Sequence, residues 1–127
     1  MLSMNVMTDT IIHYRPRIGY GLVYLLQCNN GDIMAYKIGV TKGDVYNRVK
    51  KLQTGNSEDI RILKVYETKY PYFIEKKMHS KYQMERLEGE WFMLSLEDVK
   101  RFNSDCSDIE KIVDSLKDNE IFMKKVK

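Results

Sequence analysis

The hydrophobic pattern changes period several times along the chain, and each change predicts an element. From Gly21 to Cys28 the run GLVYLLQC is almost wholly apolar and of strand length, which reads as a buried strand. Asn29-Asn30-Gly31-Asp32 follows, and an Asn-Gly pair is the strongest short hairpin signal. The partner strand then runs from Ile33 to Val40, antiparallel to the first. Asp44 is placed to cap a helix, because its carboxylate can accept from the orphan amides of a first turn. Val45, Val49 and Leu52 supply the apolar stripe of that helix to about Thr54, with Gly55 as its stop. Ile60 to Glu67 alternates as a third strand does. Pro71 suits the first position of a helix reaching about Gln83, since its missing N–H would have no partner there. Gly89 to Leu94 reads as a short apolar strand or extended segment. Ser95 with Asp98, and Ser107 with Glu110, mark two further helix starts as capping boxes or their acidic analogue. Residues 121–127 are too short a stretch to assign.

The order β-β-α-β-α-β-α-α argues for an α+β fold, a small, mainly antiparallel sheet flanked by helices. Three parts are expected: a loose N-terminal leader over residues 1–18, a compact domain over 19–97, and a C-terminal helical extension over 98–127. At 127 residues the chain is the size of one domain and can bury a sufficient core without a staple. Cys28 and Cys106 are its only cysteines and have no metal-ligand spacing, so a disulfide framework or zinc site is not expected. Cys28 reads as a small core hydrophobe. No apolar run approaches membrane-spanning length, and the first residues lack the pattern of a secretory signal. A soluble, intracellular protein of the cytoplasm or nucleus, with no membrane partner, is the expectation.

Net charge is only +3, but it is unevenly placed. Residues 13–86 hold fourteen Lys/Arg against seven Asp/Glu, whereas residues 87–127 hold seven against ten. A solvated lysine-rich surface would read the same way, so the imbalance gains weight only from what lies within the basic part.

That part holds GLVY at 21–24, Lys37-Ile38-Gly39, Arg48 in the following helix, Glu75 to His79 in the next, and then Gly89-Glu90-Trp91-Phe92. In order and spacing these motifs resemble the GIY-YIG nuclease superfamily, over residues 19–97. The similarity is closer to its phage- and virus-rich branch of small domains, with KIG in place of YIG and a terminal GEWF. The resemblance implies a divalent-metal-dependent endonuclease that hydrolyses DNA. It implies Tyr24 as the group that orients the attacking water or accepts its proton, with Lys37, Arg48 and His79 also catalytic. Glu75 would be the ligand of Mg²⁺ or Mn²⁺. The superfamily's C-terminal Asn has no clear counterpart here.

The residues themselves agree with this picture. A hairpin lets Tyr24 and Lys37 share one sheet face, and Gly39 leaves the backbone open to close approach. Tyr36 falls on the opposite face by strand alternation, so it ranks only as a secondary candidate. Arg48 flanks the buried stripe of its helix, where its stem can pack while its guanidinium reaches a phosphate. Glu75, His79 and Tyr82 share one helix face, which sets a carboxylate beside an imidazole as half a shell for a divalent cation. An imidazole there can orient water or protonate a leaving group. Lys42, Lys50 and Lys51 are candidate nucleic-acid contacts.

Simpler roles stand beside each of these. Tyr24 alone would be a core aromatic, Arg48 a solvated helix residue, and Glu75 with His79 an exposed pair of little energetic worth. Trp91 and Phe92 read as core anchors, and Glu90 as a local cap or ion pair with a secondary chance of touching metal. Joint occurrence favours the functional reading. The alternative from another class is a non-cleaving nucleic-acid-binding module of the same fold; an RNA-directed or host-interfering protein is a third. With no DNA-targeting segment recognisable, sequence preference is expected to be low or supplied by a partner protein.

Overall fold

A central antiparallel hairpin carries the molecule. In the computed structural model, which describes residues 14–30, 33–54 and 59–126, β1 (Gly21–Asn30) pairs with β2 (Ile33–Thr41), and Leu22 faces Thr41 across the ladder. β3 (Ile60–Thr68) pairs with the other side of β1, and β4 (Trp91–Phe92) with Lys37 and Tyr36 of β2. The sheet order is therefore β3-β1-β2-β4, antiparallel throughout.

The unbroken apolar run of β1 now has a physical cause. Leu22, Val23, Tyr24, Leu25 and Leu26 have no solvent exposure, because both faces of the sheet are covered. Helix α1 (Val45–Thr54) lays Val45 and Val49 on the face that holds Leu22, Tyr24 and Leu26. Helix α2 (Pro71–Lys81) lays Ile74 and Met78 on the face that holds Val23, Leu25, Tyr36 and Ile38. Trp91 and Phe92 split between the two faces, as strand alternation requires. Both contribute to the packing, as their aromatic bulk predicts.

Most predicted elements are found within a residue or two. Asp44 caps α1, accepting from the Tyr46 amide at 2.8 Å. Pro71 opens α2, which stops at Lys81, and a 3₁₀ turn follows over Gln83–Glu85. Ser95 and Asp98 form a reciprocal capping box at the start of α3 (Leu96–Lys100). The predicted start at Ser107 is corrected. Helix α4 runs unbroken over Phe102–Ser115, because buried Phe102, Cys106 and Val113 form one continuous stripe through that position. Glu110 makes no cap and instead accepts from the Tyr66 hydroxyl at 2.9 Å. A further helix, α5 (Glu120–Val126), was not read from the sequence. Its signal is Asn119, whose side-chain oxygen accepts from the Phe122 amide at 2.9 Å, with Phe122 set edge-on to Phe73.

The predicted turn at Gly31-Asp32, the stop at Gly55 and the first thirteen residues of the leader lie outside the described residues. The leader's last part is tied down: Glu67 accepts from the Arg17 amide at 2.6 Å and from the Tyr14 hydroxyl at 3.3 Å. Among the described residues no helix is long and apolar enough to cross a membrane.

Candidate functional site

Tyr24 projects from β1 directly opposite Gly39 of β2. A Cβ on Gly39 would lie 2.5 Å from the Tyr24 hydroxyl oxygen and ring carbon Cζ, so the ring occupies the space that a side chain would fill. The hydroxyl oxygen accepts from Arg48 Nε of α1 at 3.3 Å. Burial raises the phenol above its ordinary value, and this outweighs the lowering by Arg48. A sealed, protonated phenol offers no surface to an attacking water. From within the core, Tyr24 thus meets the exposed guanidinium of Arg48.

Lys37 shares the Tyr24 face but does not present a free ammonium. Its Nζ lies 2.5 Å from Glu90 Oε1 and 5.8 Å from the centre of the Trp91 ring, and its side chain is 10% exposed. The hydrogen bond and charge of Lys37 hold the Glu90 carboxyl below its usual range. Gly89, with φ of +65°, makes the turn that delivers Glu90, and its carbonyl accepts from Arg86 Nε at 2.7 Å. Tyr36 is buried in the core on the opposite face, as alternation requires.

Glu75 and His79 come from α2 on the other side of the sheet. β4 pairs only with Tyr36 and Lys37, so past Lys37 no described strand covers the outer edge of β2. His79 fills part of that edge: Nε2 donates to the Ile38 carbonyl at 2.7 Å, because a carbonyl can only accept. Nδ1 is the ring nitrogen left for other work. Tyr82 departs from the shared face and donates to Asp105 Oδ2 at 3.2 Å in the interior.

Glu75 is half-buried, and its carboxylate makes no hydrogen bond or ion pair among the described residues. Burial raises its pKa above the usual carboxyl value; the charges of His79, Lys37 and Arg48 pull it down and that of Glu90 pushes it up. Glu75 and Glu90 act in turn on Tyr24 and Arg48. Tyr24, Lys37, Arg48, His79 and Glu90, from both faces, thus all lie within electrostatic reach of Glu75. Glu75, His79 and Glu90 also line a groove of about 560 Å³ with Tyr72, Gln83 and Arg86. The last three were not read as site residues, since nothing in their spacing marks them.

A divalent cation fits this arrangement in one form only. Among the described residues no three His, Cys, Asp or Glu side chains are placed to hold a metal together. Mg²⁺ often keeps most of its waters and needs one or two carboxylates, so the bare carboxylate of Glu75 on an open groove suits it where an all-protein cage would not.

The three candidate lysines do not converge as a set. Lys42 leaves the end of β2 and lies 5.5 Å from the Tyr72 ring centre, beside the groove. Lys50 lies over Tyr46 of α1 at 5.3 Å, and Lys51 is exposed in the last turn of that helix.

Neither curated proteins nor solved structures give a match to this chain. A family model does match, that of the T5orf172 domain, over residues 21–107. The interval contains every motif on which the resemblance to GIY-YIG nucleases rested, and that assignment is corrected accordingly: the chain belongs to the T5orf172 domain family.

Proposed function

We propose that this chain is a divalent-metal-dependent endonuclease that hydrolyses DNA phosphodiester bonds. The observation that carries the reading is the unpaired, half-buried carboxylate of Glu75, facing a groove of about 560 Å³ within electrostatic reach of Arg48 and Lys37. A carboxylate without a hydrogen bond is costly to bury and is commonly retained where it binds a cation. Glu75 would hold Mg²⁺ or Mn²⁺, which when bound neutralises phosphoryl charge and lowers the pKa of a coordinated water. Arg48, aimed by Tyr24, would bind the phosphoryl oxygens as charge develops on them. His79, fixed through Nε2 on the Ile38 carbonyl, has Nδ1 to exchange a proton with water or leaving oxygen. Gln83 and Arg86 supply polar walls on the far side.

Incubating supercoiled plasmid with the purified chain tests this reading. Nicked or linear product with Mg²⁺ or Mn²⁺, abolished by EDTA, is expected. Intact plasmid together with intact single-stranded circular DNA under both metals would overturn it.

A second reading, a nucleic-acid-binding module that does not cut, draws on Lys37. Its charge is already compensated by Glu90, so one of the cations acting on Glu75 is not free for a phosphate. The two readings separate on whether DNA that is bound is also cut.

A further inference from the structure

One end of the sheet gathers aromatic rings and cations that the proposed chemistry does not use. Gly21 pairs with Thr68 and Leu22 with Thr41, so the start of β1 and the ends of β2 and β3 lie together. Tyr20, Lys42 and Lys69 are the residues flanking these three strand ends. A Cβ on Gly21 would meet Pro71 at 2.7 Å, so α2 begins against the same end and delivers Tyr72 there. The Arg17 Cζ lies 3.9 Å from the Tyr20 ring centre, with its Nε 3.4 Å from Glu67 Oε1 and its charge therefore already paired, and Lys69 Nζ is 5.8 Å from that centre. Lys42 Nζ is 5.5 Å from the centre of Tyr72, which is 55% exposed. Tyr72 also lines the groove that holds Glu75, so this surface runs into the candidate site.

We infer that this end of the sheet is a track for single-stranded DNA leading into the groove, with Tyr72 as a base-stacking platform and Lys42 and Lys69 on the phosphates. The choice of occupant follows from the chemistry. An exposed ring stacks on an unpaired base, and the flanking cations track the backbone beside it. A duplex has its base faces already stacked and offers such rings nothing. The inference rests on the proposed DNA substrate and narrows it to substrates with an unpaired stretch beside the bond to be cut.

Binding is tested without cleavage, on the full chain in EDTA, by fluorescence anisotropy. The probes are a labelled oligo-dT of about a dozen nucleotides, the scale of known single-strand sites, and a blunt duplex of equal length. The single strand is expected to bind more tightly. Tyr72→Ala should weaken it by about 5- to 100-fold, the range for losing one stacked base, and Tyr72→Phe should restore it. Duplex affinity should fall by less than single-strand affinity in Tyr72→Ala. Duplex binding equal to or tighter than single-strand binding would overturn the inference. So would parental single-strand affinity in a Tyr72→Ala protein that melts like the parent. Because no metal is present, a cleavage assay that leaves both plasmid and single-stranded circular DNA intact would sink the nuclease reading while leaving these binding results to stand or fall separately.

Discussion

The Tyr24 ring fills the space left by the missing side chain of Gly39, with the hydroxyl 2.5 Å from where a Cβ would stand. Gly39 is thus a steric requirement of Tyr24, and its φ is not positive, so backbone freedom is not the reason for glycine here. Gly39→Ala must push the ring out of a fully buried site. Overpacking of this kind costs about 1–3 kcal/mol. Chemical denaturation should show a loss of that size, and Tyr24→Ala introduced into the Gly39→Ala chain should relieve the clash. An alanine at 39 with parental stability would mean that the ring has another place to go.

Tyr24 and Arg48 should behave as one unit in catalysis. Tyr24→Phe removes the acceptor for Arg48 Nε but leaves the packing, so stability should fall by no more than about 1 kcal/mol, the net worth of one hydrogen bond. Arg48→Ala should lower the cleavage rate by about 10²–10³-fold, as loss of a phosphate-directed cation does. Tyr24→Phe should cost less than that, and the double variant no more than Arg48→Ala alone, because the tyrosine acts through the arginine. A Tyr24→Phe defect larger than that of Arg48→Ala would mean that the hydroxyl takes part in the chemistry directly.

The sequence showed the fold more fully than it showed the site. β1 was legible because burial on both faces writes itself as a continuous apolar run, and α1 because Asp44 and the Val45–Val49 spacing coincide. Ser107 misled because a capping-box pattern also arises inside a helix whose stripe starts at Phe102. α5 is short, with Phe122 edge-on to Phe73 and Val126 buried, contacts no local pattern announces. The structure brings Tyr24, Lys37, Arg48, Glu75 and His79 into one neighbourhood, but their states were not readable in the sequence. That Glu90 would take the Lys37 ammonium depends on a turn at Gly89 and on a contact spanning 53 residues. That Tyr24 would be sealed depends on both sheet faces being covered. The motifs also pointed to a different family, which the match over residues 21–107 replaces.

The Lys37–Glu90 pair should leave a mark on the acid side of the stability profile. Lys37 holds the Glu90 carboxyl below its usual range, so the folded pKa lies under the unfolded one. The stabilisation is then present above the unfolded carboxyl pKa and is lost as pH falls through the depressed folded value. The Glu90 side chain is 59% exposed, so screening keeps the effect small and salt-dependent. Thermal melts between neutral pH and acid should show a smaller loss in Glu90→Gln than in the parent over that window. The same variant should bind DNA a few-fold more tightly at low salt, since the Lys37 ammonium is no longer compensated. An unchanged acid limb and unchanged affinity would mean that the pair carries no net interaction.

Glu75 links stability to the proposed metal. A half-buried carboxylate without a hydrogen bond or ion pair destabilises the apo fold when ionised, and Glu75→Gln removes that charge at nearly constant volume. In EDTA at neutral pH the glutamine variant should therefore melt at or above the parent temperature, the opposite of what a structural carboxylate would give. Added Mg²⁺ or Mn²⁺ binds the native state of the parent and should raise its melting temperature with concentration, by mass action. The variant, lacking the ligand, should show no such rise and no plasmid cleavage, yet keep most of its DNA affinity in EDTA. The combination discriminates between roles: a variant that is less stable than the parent in EDTA marks Glu75 as a structural group. One that still shifts with metal places the cation elsewhere. Only higher or equal stability, together with loss of both the metal shift and the cleavage, fits a carboxylate kept for a cation.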